Sequence, residues 1–462
     1  MSIRLKYALM SDTSWQQMAE WQTPDTPFMS FAFWQALAAT GAIGEQAGWL
    51  PIYVLIYQVD EGYQPPPNAA DIKNSKAHSD GDNKATETAG DKVSVTHPIA
   101  VLPVFIKGHH RGEFVFDHAW AEAYARYGVD YYPRLVSSVP YTPITGQRFW
   151  LADGERLRAD IIKTALAGVD DIAQQVGASS WHGLFVTPEL ADIVAAAMPT
   201  DSDVMCALAA QEQDGAAVAI DIPILERQGC QFLWQNQDLL KNAQPFADFE
   251  AFLATLRAKK RKTIRAERRK VADQGIRCQR KCGDTICEED WHAFYHCYVM
   301  TYAVRGQQPY LTLDFFMALA ASMPEHLMLA QARDAHGDII ASSLFLYDKP
   351  DSKDATLYGR YWGALADYDS LHFELCYYQG IEFAIEQGLS YFDPGTQGEH
   401  KLVRGFIPTT THSLHRVYDG RFMPAIADFC RRDREHMAEY RRRAFDALPF
   451  NADNMPPADA SR

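Results

Sequence analysis

Two apolar runs rich in β-branched residues, PIYVLIYQV (51–59) and HPIAVLPVFIK (97–107), flank a polar, proline-bearing stretch at 60–96. The pattern predicts a hairpin whose tip carries a disordered insert, because a polar tract cannot offset its ordering entropy and a hairpin tip tolerates lengthening. Helical spacing over 152–177 predicts a helix, and WHGLFVT (181–187) and QGCQFLWQN (228–236) read as strands. Near residue 240 the pattern restarts. Phe249, Phe252, Leu253, Leu256, Ile264 and Val271 fall on one helical stripe that ends at Gly275. WHAFYHCYVMTYAVRG and LTLDFFMALAASMP predict two further helices, and HLMLAQARD, DIIASSLFLYD and ATLYGRYWG three successive strands. A helix over LHFELCYYQGIEFAIEQG, capped by Asp369 or Ser370 and stopped at Gly388, precedes the strands SYFDP and HSLHRVYD and a charged terminal helix.

This alternation implies an α/β (α+β) mixed sheet rather than a helical bundle. With 462 residues, 47% of them hydrophobic, the chain can bury more than one core, and the restart divides it into 1–240 and 241–462. No run of about 18 uncharged apolar residues is present, so no membrane span is expected. The first residues lack a small-residue cleavage site, and a cytoplasmic location is expected.

The cysteines show no paired CxxC spacing. Cys278, Cys282 and Cys287 cluster near His292, His296 and Cys297, but the spacing fits neither a zinc ribbon nor a finger, and no metal is expected. A net charge of −15 disfavours a dedicated nucleic-acid binder. Residues 257–270 nevertheless carry nine Lys/Arg against one Glu, a patch that would attract phosphate through Arg261, Lys262, Arg265 and Arg268.

Chemistry-bearing residues gather where strands end beside aromatics. FVFDHAWAEAYARYGVDYYPRL (114–135) offers Asp117, Trp120, Tyr124 and Tyr132 as a patch for a sugar or a cationic peptide. In TLYGRYWG, Arg360 and Tyr358 lie on one face and Tyr361 on the other by strand alternation, which directs Arg360 toward a cleft. His372 and Glu374 begin the next helix. In GTQGEHKLVRGF, Glu399 and His400 are candidate proton acceptors, and Lys401 and Arg404 candidate anion contacts.

The order of helices, three meandering strands, helix, strand, short helix and strand is that of a GNAT-type acyltransferase domain, and the first half is compatible with a second copy. These segments, with VPYTPITG and RKTIRAERRKV, resemble the FemAB-like peptidoglycan biosynthesis/recognition family from about residue 27 to 418. The resemblance implies two tandem GNAT-like domains and acyl or aminoacyl transfer to an amine of a cell-envelope or peptide substrate. Leu233 and Asp393 depart from the family pattern, which has a histidine and a glutamate there.

Catalysis would use Glu399, His400 or His372, with Asp117, Trp120, Tyr124, Tyr132, Arg360, Glu374, Lys401 and Arg404 holding substrate. Acyl-CoA and aminoacyl-tRNA are the two donors to weigh. WGALADYDSLHF lacks the glycines that cradle a pyrophosphate and places aspartates there, which speaks against ordinary CoA binding. The alternatives are a non-catalytic module recognising peptidoglycan or amino sugars, and an RNA-associated protein using 257–270.

Overall fold

The computed structural model describes residues 4–59, 97–204, 206, 222–396 and 398–457, so the insert expected at 60–96 lies outside the described residues. The predicted hairpin is β2 (Trp49–Val59) and β3 (Pro98–Lys107), paired antiparallel from Trp49↔Lys107 to Tyr57↔Pro98, with β1 (Arg4–Met10) along the outer side of β2. Alternation sends Ile52, Val54 and Ile56 to one face and Tyr53, Leu55 and Tyr57 to the other. The first face packs under α3 (Ala159–Val176) and α4 (Pro188–Ala197).

In the first half, β3 is followed by α2 (His118–Arg126), β4 (Arg134–Ser137) and a short β5 (Trp150–Leu151). After α3, β6 (Ser180–Val186) returns parallel to β4. In the second half, α5 (Phe249–Ala254), α6 (Ala258–Asp273), α7 (Glu288–Ala303) and α8 (Leu313–Ser322) accompany β8 (Arg277–Cys282), β9 (Leu327–Arg333), β10 (Ile339–Tyr347) and β11 (Thr356–Ala364). The crossover is α9 (Leu371–Phe373), a π-helical segment Glu374–Tyr378 and α10 (Gln379–Glu386) in one continuous run, and β12 (Tyr391–Asp393) then lies parallel to β11. Each half thus repeats the expected GNAT-like plan: antiparallel strands, a crossover helix, and a parallel partner.

Two strands cross the seam between the halves. β7 (Leu225–Gln235) pairs with β12, and β13 (Ile407–Val417) pairs with β6. β7 and β13 pair with each other from Ile407↔Leu233 to His415↔Leu225. One mixed sheet therefore runs through the molecule, with α11 (Met423–Asp446) packed on β7 and β13. A core shared by the halves joins Trp15, Phe28 and Trp150 to Trp291, Phe316 and Tyr361.

The single stripe expected from Phe249 to Val271 is two helices. The chain breaks at Thr255–Arg257, where Leu256 bridges Phe450 and the Arg257 amide donates to the Pro449 carbonyl at 2.8 Å. Ser370 occupies the position before α9 in a left-handed conformation (φ 66°), and neither it nor Asp369 caps the helix with its side chain.

Candidate functional site

β11 and β12 pair at Thr356↔Tyr391, Leu357↔Phe392 and Tyr358↔Asp393. β12 stops there, and β11 runs on to Ala364 paired only with β10. Opposite β10, Leu344 faces Tyr361 while Phe345 faces Gly359, so Arg360 is the extra residue of a β-bulge. The expected alternation fails for that reason, since Tyr358 and Tyr361 enter the same shared core. Arg360 turns to the end of β12, donating to Asp393 Oδ2 at 2.8 Å with its guanidinium 5.4 Å from the Phe28 ring. Asp393 accepts from the Gly395 amide through Oδ1 at 2.8 Å. Buried Lys401 donates to the Gly395 carbonyl at 2.5 Å, and burial lowers its pKa to about 8. The strand-end loop is thereby tied to Arg360 on one side and Lys401 on the other.

Glycines at 395 (φ 90°) and 398 (φ 102°) let the loop turn into a 3₁₀ helix, Glu399–Arg404. His400 is exposed on that helix, and its Nε2 lies 2.8 Å from the Tyr377 hydroxyl. Partial burial, with the cations Arg404 and Lys401 nearby, holds its pKa below the ordinary imidazole value. His372 stands 5.8 Å away, ring to ring, beside Trp362. Burial lowers its pKa to about 4, so it is neutral at neutral pH. Glu399 is exposed and accepts from the Tyr440 hydroxyl at 3.1 Å.

Arg404 is buried and fully engaged. It donates to both Glu267 oxygens at 2.8 and 2.9 Å, to the Tyr378 hydroxyl at 2.9 Å and to the His400 carbonyl at 2.8 Å, and it stacks 3.5 Å over the Phe373 ring. Its first task is thus to hold His400 and the π segment in place. The same correction applies to Arg268 and Glu374, expected to touch phosphate and substrate. They bind each other at 3.1 and 3.0 Å, Arg268 also takes Glu382 at 2.5 Å, and Glu374 accepts from Gln379 at 2.8 Å. Arg265 pairs with Glu250, and Arg261 donates to the Leu256 and Ala254 carbonyls. Lys262, with Lys259 and Arg269, remains on the exposed side of α6.

The first-half patch is largely interior. Asp117 is buried in an ion pair with Arg134 and accepts from Tyr131 at 2.5 Å. Tyr124 stacks on Phe422 at 3.9 Å between centroids, and Tyr132 lies edge-on to Tyr131 at 5.3 Å. Trp120 is buried 5.1 Å from His415, so none of these four joins His400. Trp120 does touch Arg227, 5.6 Å from its ring, and Arg227 lines a cavity of about 290 Å³ with Phe114, Phe116, His412 and Thr396 of the β12 loop. Asp393 lines a second cavity of about 410 Å³ at the seam.

Sequence reasoning missed Tyr377 and Glu267. Tyr377 follows His372 by five positions in LHFELCYY, and Glu267 is the lone acid of the basic run.

The model of the FemAB-like family, described as peptidoglycan biosynthesis/recognition, matches residues 7–452. No curated protein matches the chain. Among solved structures, L-PGS from Bacillus licheniformis is similar at 10% identity and a TM-score of 0.41, over 73% of this chain and 86% of that one. The C-terminal domain of a putative lysylphosphatidylglycerol synthetase from Agrobacterium fabrum gives 12% and 0.39, over 71% and 84%. A tandem GNAT protein from the clavulanic acid biosynthesis pathway gives 9% and 0.37, over 89% and 98%.

Proposed function

The chain belongs to the FemAB-like family, and from that premise and the geometry at the end of β12 we propose that it is an N-acyl- or aminoacyltransferase acting on an amine of a peptidoglycan-type substrate. The observation that carries this reading is His400, an exposed imidazole whose pKa lies below the ordinary value and whose Nε2 meets the Tyr377 hydroxyl. In the tautomer that donates Nε2–H to the tyrosine oxygen, the Nδ1 lone pair is left to take a proton. The acceptor amine attacks the donor's ester or thioester carbonyl and loses a proton to His400. The C–O or C–S bond then breaks, and His400 returns the proton to the leaving oxygen or sulfur. Lys401 supplies the positive potential that favours the developing oxyanion.

Aminoacyl-tRNA is the donor the charges favour. Asp367 and Asp369 stand before α9, where a CoA pyrophosphate would sit, whereas Lys259, Lys262 and Arg269 are exposed for a phosphate backbone. A cytoplasmic location goes with such a donor.

The test offers purified protein aminoacyl-tRNA or acyl-CoA together with an amine-bearing peptidoglycan precursor. Transfer from the tRNA is expected, and His400→Ala is expected to lower it about 100-fold or more with the circular dichroism spectrum unchanged. An unchanged rate would remove His400 from the mechanism. Charge reversal at Lys259, Lys262 and Arg269 is expected to abolish salt-sensitive tRNA retention, and retention that persists would overturn the donor assignment.

A further inference from the structure

The two cavities share a wall built by β7 and β13. Gln231 and Thr411 line both, while Asp393 lines the larger and Thr396, three residues on, the smaller. Their walls differ in chemistry. The smaller one has the aromatic wall of Phe114 and Phe116 beside Arg227 and His412. The larger is built across the seam, from Asp25, Thr145 and Glu189 of the first half to Asp354 and Asp393 of the second, with Thr409–Thr411 of β13 between.

Three of its carboxylates, Asp25, Glu189 and Asp354, are exposed at the rim, where Lys353 is the single cation among the described lining residues. Deeper in, the carboxylates serve the fold: Asp348 accepts from Tyr358 at 3.0 Å, and Asp393 holds Arg360. The rest of the polar lining is neutral. Among the described residues, the hydroxyls of Thr145, Thr410 and Thr411 make no hydrogen bond within the protein. Gln231 donates to the Pro143 carbonyl at 2.9 Å. A volume of about 410 Å³ lies within the usual range of small-ligand sites.

We propose that this seam cavity binds a primary amine carried on a hydroxyl-rich body, an amino sugar. The rim carboxylates take the ammonium, and the threonine hydroxyls, each both donor and acceptor, take the sugar hydroxyls.

The experiment titrates the full-length protein with glucosamine and with N-acetylglucosamine, whose amine carries no charge, by calorimetry. Saturable glucosamine binding is expected, with N-acetylglucosamine weaker by about ten-fold. Glu189→Gln and Asp25→Asn are each expected to weaken glucosamine about three-fold and to leave N-acetylglucosamine unchanged, the size of a rim charge contact. Thr410→Val is expected to weaken both sugars, with an unchanged melting temperature showing that the fold persists. Equal affinity for the two sugars, no saturation, or indifference to all three substitutions would overturn the proposal. His400→Ala separates the two readings. If it abolishes transfer in a protein that never binds glucosamine, the subsite is wrong and the transferase reading stands. If no transfer is detected from either donor in a protein that binds glucosamine, the reverse holds.

Discussion

His400 and Glu399 are chain neighbours in opposite situations: the imidazole is oriented by Tyr377 and its pKa is lowered by partial burial and then by nearby cations, whereas the carboxylate is held by Tyr440 of the terminal helix. The transfer rate is therefore expected to rise with pH through a lowered histidine pKa, level off, and fall above about 8 as Lys401 loses its charge. His372, neutral above about 4, adds no second limb near neutrality. A rate that instead falls as pH rises from 6 to 8 would exclude His400 as the base. Gly398 tests the placement of the ring, because an added Cβ would stand 2.1 Å from His400 Cε1 on a backbone already at φ 102°. Gly398→Ala is expected to depress transfer about as far as His400→Ala, roughly 100-fold, in a protein with an unaltered far-ultraviolet spectrum. Lys401 gives a stability prediction whose sign follows from its depressed pKa. Below about 8 both states bind the proton and the buried charge weakens the fold. Between about 8 and the unfolded value of 10.5 only the unfolded chain binds it, so stability rises with pH, by at most about 3 kcal/mol. Urea unfolding across that window checks the slope, which Lys401→Met is expected to remove.

At the scale of elements, α6 serves as a strut. Its inner face sends Glu267 to Arg404 and Tyr378, and Arg268 to Glu374 and Glu382, so a helix that reads as a solvated charge run anchors both the π segment and the 3₁₀ helix that carries His400. Glu267→Ala leaves the Arg404 guanidinium buried without its acid, and a loss of about 3 kcal/mol in urea unfolding is expected. Replacing both residues by methionine is expected to recover much of it, and a single variant as stable as the parent would show that the strut carries no load. The sequence pattern could not reveal these partners, because Arg268 meets a carboxylate 106 positions away. Local patterns served better where the rule was local. Continuous apolar, β-branched runs located β2 and β3, helical spacing located α3, and the glycine turn before Glu399 marked the loop at the end of β12. They failed where a single residue broke the period, as at the Arg360 bulge and the Leu256 bridge, and where an edge strand has only cysteines as apolar residues, as in β8 with RCQRKC. Asp117 and Trp120 show a different limit, since acid and aromatic spacing is the same for a binding patch and for a buried ion pair beside a packed indole.

For the molecule as a whole, the exchange of β7 and β13 decides how the halves depend on each other. Each half lacks the strand that would complete its own side of the sheet: β6 finds its partner in β13, and β12 finds its partner in β7. The shared aromatic core adds a second dependence, because the faces carrying Trp15 and Trp150 on one side and Phe316 and Tyr361 on the other would be laid bare by separation. A sheet edge and an apolar face exposed together favour aggregation over an independent fold. Expressed apart, residues 1–240 and 241–462 are expected to give no cooperative urea transition, each fragment aggregating or remaining unfolded. Produced together, they are expected to assemble into a single species that unfolds in one step and recovers transfer activity, because pairing across the seam needs no peptide bond at 240. Gel filtration and urea unfolding of the three preparations check this. A fragment that is monomeric and cooperatively folded on its own would mean that the crossed strands decorate two self-sufficient domains, and the site at the end of β12 would then owe nothing to the first half.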